Sequence, residues 1–543
     1  MRKRHYPLVF VVVALLTWPN LGTPALWDMD EGVNAECARE MMESGTWIVP
    51  TFNWELRSAK PVLLYWLQRF SYTALGVNEF SARLPAAILA MVTCLTVYEL
   101  ARRMFDALTG LLAAIVLISA IQFNLLSHAA TPDAPLIVFT VLTFAMVWMM
   151  HEHGSRNWLI WPALPCGLAV LAKGPVGLGI PALAFVAYFL WNREWKRLFD
   201  HRLSYGVWIF AAVVVPWVGF VAAETRGEWL FKFVRNENIN RMATAQENHA
   251  GPWYYYLLCL IVLFAPWSSI LGGTFWYAVK GTRRNDGELT TPMRANRFLL
   301  CWIAAYVLPF SFFATKLPNY IAPVYPALAI LTARFLMQWL RKEIAPRRWF
   351  WWAAVAGMAL TGMAFLIGFM VLSGVVPLEV KGLRTFPGLE LWAWVGLFPL
   401  VAAAVMAWAI VTDRRRVVPI AMSVAACGLV GFVAGGAALV IDEYKAAKTL
   451  VLTSGARQPE AEIRLATLNY FADSQSIVFY AERRVAVMKD TAEAKQFLSM
   501  PLESYLFIPE PIWLDQFAGS PHRIAARKYD FTRNTVILVV CNR

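Results

Sequence analysis

The apolar residues of this chain are grouped in blocks of about twenty, and this pattern limits its fold more than any other feature. An apolar helix of about 20 residues crosses the ~30 Å hydrocarbon core of a bilayer. The chain has 543 residues, of which 59% are hydrophobic and 16% charged. Short polar segments separate the apolar blocks. The sequence therefore predicts an α-helical polytopic membrane protein.

We predict thirteen transmembrane helices. The first block could instead be a signal peptide cleaved after "TPA", but its apolar run continues to about Leu26, which favours an uncleaved span. The predicted spans are 8–26, 84–104, 107–123, 134–150, 158–172, 176–191, 205–222, 255–279, 298–313, 321–338, 349–372, 391–411 and 417–440. An odd number of spans places the two termini on opposite sides of the membrane.

Loops rich in Lys and Arg alternate along the chain with loops that are poor in them, which predicts the orientation. The basic loops include "NREWKR", "KGTRR", "RKEIAPRR" and "DRRR", and such loops stay in the cytoplasm. The opposite face then carries juxtamembrane helices within 28–83 and a loop at 223–254. Residues 1–441 are thus predicted to form the membrane domain.

Residues 442–543 are predicted to form a soluble α/β domain on the outward face, which is the periplasm in a Gram-negative cell. The evidence is alternating runs such as "SIVFYAERRVAVM" and the final "NTVILVVC".

Charge and cysteine content exclude two other classes of function. The formal net charge is +13, but the basic residues sit between apolar blocks and form no continuous face, so a nucleic-acid partner is not expected. The seven cysteines include no CxxC pair, and most lie within apolar blocks. They indicate neither a disulfide framework nor a metal site.

The stretch "ALWDMDEGVNAECAREMMESG" places three carboxylates at the end of the first apolar run. Asp28 as N-cap with Glu31 three residues later predicts an acidic capping box and a helix that ends near Gly45. Capping leaves Asp30 unexplained. Asp30 either interacts with the helix dipole or acts as a base or electrostatic partner at an interfacial site.

Two further segments place charge on the same outward face. In "RSAKPVLLYWLQRF", Lys60 precedes Pro61, which predicts a lysine at a helix N-terminus, where backbone N–H groups favour a phosphate. The lysine could also simply reach lipid headgroups. In "SHAATPDAPL", Asp133 either caps the next helix or joins Asp30, and His128 is interpreted as a satisfied loop histidine.

Other outward boundaries carry cations. "LAKGPVGLGIP" places Lys173 in a tight turn, and "ATKLPNYIAPVYPAL" places Lys316 and Tyr320 at another boundary. The loop "FVRNENINRMATAQENHAGPWYYY" adds Arg235 and Arg241, either of which could clamp a phosphate.

In that loop, His249 near Glu247 is a candidate for a divalent metal site, although the sequence requires no cofactor. Charges deep within the predicted spans are rare, whereas a transporter would keep ionisable residues near the midplane. A lipid-sugar flippase is therefore the less favoured class of function.

Six motifs occur in the order "DMDEGVNAECAREMMESGTWIVPTFN", "KPVLLYWLQ", "GVNEFSARLPAA", "PDAPL", "LAKGPVGLGIP" and "KLPNYIAPVYPALAIL". Over roughly residues 1–340 the chain resembles the 4-amino-4-deoxy-L-arabinose transferases of lipid A. That family has the C-type glycosyltransferase fold and is related to the protein O-mannosyltransferases. The last 200 residues or so resemble it mainly in layout.

The resemblance implies a glycosyltransferase of the bacterial inner membrane with an active site and a soluble C-terminal domain that face the periplasm. The implied donor is undecaprenyl phosphate carrying aminoarabinose, and the implied acceptor is a lipid A phosphate. The implied consequence is resistance to polymyxin and cationic peptides. A monomer is expected.

The family's site residues carry over to matching positions. Asp30 and Glu31 match its first acidic motif, Asp30 being the leading catalytic candidate, and Asp133 matches its second acidic position. Lys60 is the lysine of its "KP" motif, expected to hold the lipid phosphate that leaves. Tyr320 lies where its "KLP" motif meets the next helix.

Arg241 and Lys316 join Lys60 and Tyr320 as candidates for stabilising the leaving phosphate. A lipid A phosphate is already ionised near neutral pH, its second pKa being about 6. Asp30 could therefore orient the acceptor, bind the sugar's amino group or stabilise an oxocarbenium-like charge.

One departure concerns sugar specificity: the chain reads "SAKPV" where relatives commonly read "EKPP". The alternative enzyme is a relative that transfers another polyprenyl-phosphate sugar, or that uses a protein or another glycan as acceptor.

Overall fold

The computed structural model describes residues 5–246, 249–283, 289–378, 382–458 and 462–543. The described part is dominated by α-helices: His5–Thr17, Val33–Glu43, Leu63–Leu75, Glu79–Met104, Ala107–Ile118, Ile121–Ser127, Asp133–His153, Ala163–Lys173, Val176–Trp191, Arg202–Glu224, Glu228–Lys232, Arg241–Ala243, Tyr255–Leu263, Leu271–Lys280, Thr291–Phe312, Tyr325–Leu340, Arg348–Leu372, Leu397–Val411, Val417–Phe432, Ala438–Asp442, Ala447–Ser454, Ser476–Ala481, Thr491–Leu498 and Glu510–Gln516.

Eight helical segments within the described residues are long and apolar enough to cross a bilayer: Glu79–Met104, Asp133–His153, Arg202–Glu224, Thr291–Phe312, Pro318–Leu340, Arg348–Leu372, Leu389–Val411 and Val417–Asp442. Two bent helix pairs could raise this number to ten. They are Ala107–Ile118 with Ile121–Ser127, bent by 72°, and Tyr255–Leu263 with Trp267–Lys280, bent by 112°. The prediction of a polytopic helical membrane protein is confirmed.

The other predicted spans correspond to shorter helices. Spans 8–26, 158–172 and 176–191 become His5–Thr17, Ala163–Lys173 and Val176–Trp191. At 1.5 Å per residue, a 13-residue helix such as the first is about 20 Å long, shorter than a ~30 Å hydrocarbon core. Length and hydropathy alone therefore do not establish thirteen spans.

The helix through Pro318–Leu340 lies at the centre of the bundle, because 89% of its most apolar window is buried by other parts of the protein. In Arg348–Leu372 the corresponding share is 11%, so most of that helix lies at the periphery of the bundle. The N-terminal end of the central helix therefore lies deep among its neighbours, where the candidate site is found.

A five-stranded sheet lies near the C-terminus. Its strands in spatial order are Val485–Met488, Ile463–Leu468, Glu503–Pro509, Thr535–Cys541 and Arg523–Asp530. The first three strands are parallel to one another. The fourth strand is antiparallel to both of its neighbours, the third and the fifth. This region is the expected small α/β unit. The run "SIVFYA" is the helix Ser476–Ala481, however, and only the following residues form a strand.

The C-terminal region packs on the opening acidic stretch. Asp28 accepts hydrogen bonds from Ser474 at 3.2 Å and from Ser476. A Cβ added at Gly32 would lie 2.6 Å from that of Ser476, so the two segments approach closely only because residue 32 is glycine. The amide of Asn53 also pairs with the N–H and C=O of Val485 at 2.8 and 2.9 Å, which covers the edge of the sheet.

The predicted capping box at Asp28 is wrong. The chain enters a π-helical turn at Asp28–Gly32 and continues as Val33–Glu43, with Trp27 at the N-cap position. Asp28 faces the C-terminal serines instead, whereas Glu31 accepts the N–H of Trp27 at 3.0 Å. The predicted end of the helix near Gly45 is confirmed.

Candidate active site

Glu31 is held in a buried ion pair with Arg83. Its carboxylate lies 2.6 Å from Nη2 and 2.8 Å from Nε of Arg83, and it accepts the N–H of Ala130 at 2.8 Å. Burial by itself would raise the pKa of Glu31, but Arg83 and the N–H groups of Ala130 and Trp27 outweigh it and lower that pKa. Only 2% of Glu31 is exposed.

This arrangement corrects the grouping of Glu31 with the catalytic candidates. Arg83 also donates to the carbonyl oxygens of Leu21, Pro24 and Ala25. The pair therefore fixes the chain on both sides of Asp30, and Glu31 is a positioning residue.

Asp30 is exposed, and its carboxylate has no hydrogen bond or ion pair to any residue that the structure describes. Desolvation by the surrounding protein and then the nearby Asp133 carboxylate raise its pKa, while Lys173 and Lys60 act against this rise. The structure thus brings together the two acids that the sequence singled out and leaves the Asp30 carboxylate accessible.

Asp133 does not cap the helix that it begins, since Pro132 occupies the N-cap position. Its carboxylate lies 2.5 Å from Nζ of Lys173 and accepts a hydrogen bond from Asn319 at 3.1 Å. Lys173 reaches this carboxylate from the end of its helix, where Gly174 has φ +81°. This is the tight turn that the Gly and Pro residues there predicted. The contribution of Asn319 was missed, although it stands within the "KLPNY" motif.

A cavity of about 340 Å³ lies beside this pair. Its charged and polar residues are Lys60, Lys173, Glu237, Asn238, Arg241, Thr315 and Tyr320, and much of its remaining wall is apolar. Such a wall with a cationic end suits a lipid with a phosphate head. The apolar residues are Leu136, Pro175, Val176, Ile180, Met242, Phe310 and Phe313.

Lys60 and Arg241 share one anionic neighbour in this cavity. Oε2 of Glu237 lies 3.7 Å from Nζ of Lys60 and 3.1 Å from Nε of Arg241, and Arg241 donates to the hydroxyl of Tyr320 at 3.4 Å. Sequence reasoning missed Glu237 because it considered only the cations of the "RNENINRM" segment. The i, i+4 spacing of Glu237 and Arg241 was an available signal.

Burial lowers the pKa of Lys60 to about 8; Glu237 opposes the change, whereas Lys173, Arg241 and Arg57 add to it. The expected helix N-terminus is displaced, since the helix begins at Leu63 rather than Pro61. Lys60 therefore contributes mainly its own charge to the cavity.

Lys316 does not take the predicted role in phosphate binding. Its ammonium group donates to the carbonyl oxygens of Phe310, Ser311 and Phe313 at 2.8 to 3.3 Å. Lys316 is 5% exposed. A buried ammonium needs acceptors, and it finds them where the helix Thr291–Phe312 ends.

The remaining candidates lie away from the cavity wall. Arg235 is exposed, with its guanidinium 5.6 Å from the ring of Phe231. The Nδ1 atom of His128 lies 2.8 Å from the carbonyl oxygen of Asn124, but its buried Nε2 atom has no hydrogen-bond partner among the described residues, so the histidine is only partly satisfied. Among the described residues no group of three or more His, Cys, Asp or Glu side chains could hold a metal. Glu247, the suggested neighbour of His249, lies outside the described residues, so a metal there stays a prediction.

The chain is similar in sequence to known glycosyltransferases. The profile of the family described as dolichyl-phosphate-mannose-protein mannosyltransferase matches residues 59–220, which include Lys60, Asp133 and Lys173. The undecaprenyl phosphate-α-4-amino-4-deoxy-L-arabinose arabinosyl transferase of Erwinia tasmaniensis is 31% identical over 343 residues, which cover 61% of this chain and 60% of that protein. The predicted family resemblance is confirmed.

An uncharacterized protein of Aquifex aeolicus is 33% identical over 343 residues, covering 63% of this chain and 66% of that protein. The matched parts thus span less than two thirds of the length of either relative.

The crystal structure of ArnT from Cupriavidus metallidurans bound to undecaprenyl phosphate superposes with a TM-score of 0.80. The match covers 100% of this chain and 98% of that one at 23% sequence identity. The present chain therefore has the ArnT fold along its whole length, including the C-terminal sheet.

Replacing Arg83 with Leu should reduce stability strongly. Removing one partner of a buried ion pair leaves the other charge uncompensated, at a cost of about 3–5 kcal/mol. Thermal unfolding of the purified protein in detergent should show a large fall in Tm. The control is Arg527→Leu, since Arg527 forms an exposed pair with Glu510 and its loss should change Tm little. Equal effects of the two substitutions would contradict the assigned role of Arg83.

Proposed function

We propose that this chain is an integral membrane glycosyltransferase that moves 4-amino-4-deoxy-L-arabinose from undecaprenyl phosphate to a phosphate of lipid A. The supporting observation is the apolar cavity in which Lys60, Arg241 and Tyr320 meet beside Asp30 and Asp133. The resulting outer membrane is less negative, which gives resistance to polymyxin and cationic peptides.

In the proposed reaction, an oxygen of the acceptor phosphate bonds to the anomeric carbon of the sugar. The bond between that carbon and the donor phosphate oxygen breaks, and undecaprenyl phosphate leaves with the electron pair. Negative charge then grows on the leaving phosphate, where Lys60 and Arg241 stabilise it electrostatically. The hydroxyl of Tyr320 is placed to donate to a phosphate oxygen.

Asp30 best serves as a partner for positive charge. An ionised acceptor phosphate needs no base, and a carboxylate would repel it. The sugar, in contrast, carries an amino group and becomes oxocarbenium-like as the leaving phosphate departs. Asp30 is the accessible carboxylate, whereas Asp133 is engaged by Lys173 and Asn319 and holds that lysine at the cavity.

A second candidate is transfer of another sugar from a polyprenyl phosphate, or transfer to a protein or glycan. Ala59 in "SAKPV" supports it, because the residue beside Lys60 carries no acid. The matching profile of residues 59–220 also bears the name of a mannosyltransferase family. The sugar transferred decides between the two.

We further propose thirteen spans and a monomer in the bacterial inner membrane, with the cavity and residues 442–543 in the periplasm. The count adds His5–Thr17, Ala163–Lys173 and Val176–Trp191 to the ten segments described above. A divalent ion near His249 stays a prediction that a chelator would test in the transfer assay. The charge stabilisation proposed here rests on the protein's own cations.

The orientation can be tested with one cysteine introduced at a time, at Lys489 or at Arg347. All seven native cysteines are buried or half-buried, so background labelling should be low. A membrane-impermeant maleimide should label Lys489→Cys in intact spheroplasts and label Arg347→Cys only after permeabilisation. The reverse pattern, or labelling of both sites in intact spheroplasts, would refute the proposed topology.

Expression of this chain in a transferase-deficient Gram-negative strain should add the mass of aminoarabinose to lipid A. Asp30→Asn and Lys60→Ala should each reduce the modified fraction at least about tenfold, the scale of a lost electrostatic contact in a transition state. The matched controls Asp413→Asn and Arg347→Ala change exposed charges outside the cavity and should retain modification. A different sugar mass would favour the second candidate, and no product from well-folded parent protein would contradict both.

Binding of undecaprenyl phosphate should weaken as the pH rises through about 8, where Lys60 loses its proton in the ligand-free protein. The anion binds the protonated lysine, so affinity is highest below this pKa and falls above it. Lys60→Arg keeps its charge at these pH values and should remove most of the fall. Titrations in nanodiscs at several pH values measure this, and an identical fall in parent and variant would exclude Lys60 as its source.

A further inference from the structure

The phosphate cavity contains an anion of its own, the carboxylate of Glu237. A single oxygen, Oε2, faces both Nζ of Lys60 and Nε of Arg241, at 3.7 and 3.1 Å. All three side chains line the cavity, and each is less than one third exposed. Glu237 thus occupies the position between the two cations that the proposed reaction assigns to a phosphate oxygen.

The contact of Glu237 with these cations is mainly electrostatic. Oε2 is buried and has no well-oriented hydrogen-bond donor among the described residues, although both cations are close. A buried carboxylate oxygen without such a donor is held less firmly than one in a bidentate pair like Glu31 with Arg83. The contact between Glu237 and the cations can therefore be exchanged for contact with another anion.

The backbone that carries Glu237 also differs from a regular helix. Residues Phe233–Asn240 form a π-helical segment, which is followed by the short helix Arg241–Ala243. Such segments are rare and often occur at functional sites. Glu237 and Arg241 therefore lie on a continuous helical segment that borders the cavity.

We propose that Glu237 is the resident counter-anion of the phosphate site, which an incoming lipid phosphate displaces and which returns to Lys60 and Arg241 when the lipid leaves. The inference rests on the proposed function, whose phosphate site it describes in more detail. Glu237 is a positioning residue in this role. Its carboxylate neutralises the empty site, so part of the binding energy of each phosphate is used to displace it.

The return of Glu237 matters most for the product. The donor phosphate is a diester with one negative charge, whereas undecaprenyl phosphate is a monoester with about −1.5 to −2 charges at pH 7. Two partly buried cations hold the more highly charged product more tightly, and turnover then depends on its release. A competing carboxylate weakens that retention.

The test measures binding of undecaprenyl phosphate to the full-length protein in nanodiscs. Removing the competing charge with Glu237→Gln should tighten Kd by roughly tenfold, which corresponds to one partly desolvated charge contact. In transfer assays the same variant should show a lower KM for the donor and a lower kcat, with an unchanged rate in a single turnover. A residue with a merely structural role would weaken binding when replaced.

Two further variants complete the design. Glu228→Gln is the matched control, since Glu228 belongs to the same outward region and pairs with Lys232 on the surface; its Kd should equal that of the parent. Glu237→Asp keeps the charge but withdraws it by one methylene, so it should tighten binding less than Glu237→Gln. If Glu237→Gln does not fold, the Kd of Glu237→Asp for undecaprenyl phosphate tests the proposal, and it should be lower than that of the parent.

Unchanged or weaker binding of undecaprenyl phosphate by a folded Glu237 variant would overturn the proposal. Failure of the phosphate site in the proposed function gives a different result: the parent protein would then bind no undecaprenyl phosphate, or would bind it no better than Lys60→Ala does. The two failures are therefore distinguishable in one set of titrations.

Discussion

The position of the candidate site depends on one buried ion pair, Glu31 with Arg83. Arg83 joins the carboxylate that follows Asp30 to the carbonyl oxygens of Leu21, Pro24 and Ala25. A buried pair of this kind is stable only when the remaining donors and acceptors are also satisfied. Here backbone groups satisfy them, and the connection between the first helix and the acidic turn is held in place. The free carboxylate of Asp30 is presented on this support.

The rest of the site follows from charge balance in a partly buried place. Lys173 is balanced by Asp133, and Lys60 and Arg241 are balanced by Glu237. Cations in such surroundings need nearby anions, because desolvation penalises an isolated charge. A site that binds a phosphate must therefore keep counter-charges that either stay, as Asp133 does, or give way. Asp30 remains available to a positive group of the substrate.

The ArnT fold is retained at 23% sequence identity, which agrees with how its parts are constrained. Spanning helices require apolar surface rather than particular residues, so much of the sequence can change. The residues that contact one another around the cavity are few and chemically specific. Ala59, where the chain departs from the motif of its relatives, is next to one of them, Lys60.

The sequence by itself determined the membrane class. It also predicted the outward face of the charged motifs and singled out Asp30, Asp133 and Lys60 as site candidates. These features follow from composition, loop charge and short motifs, all of which are local. Other features of the site were decided only by the tertiary structure, because they join residues far apart in the chain.

Glu31 meets Arg83 across 52 residues and Asp133 meets Asn319 across 186. The sequence favoured a capping role for Asp28 and a phosphate-binding role for Lys316. Packing instead placed the serines of the C-terminal region beside Asp28 and backbone carbonyl oxygens around Lys316. A side chain's role depends on which donors, acceptors and charges surround it, and local sequence does not specify those neighbours.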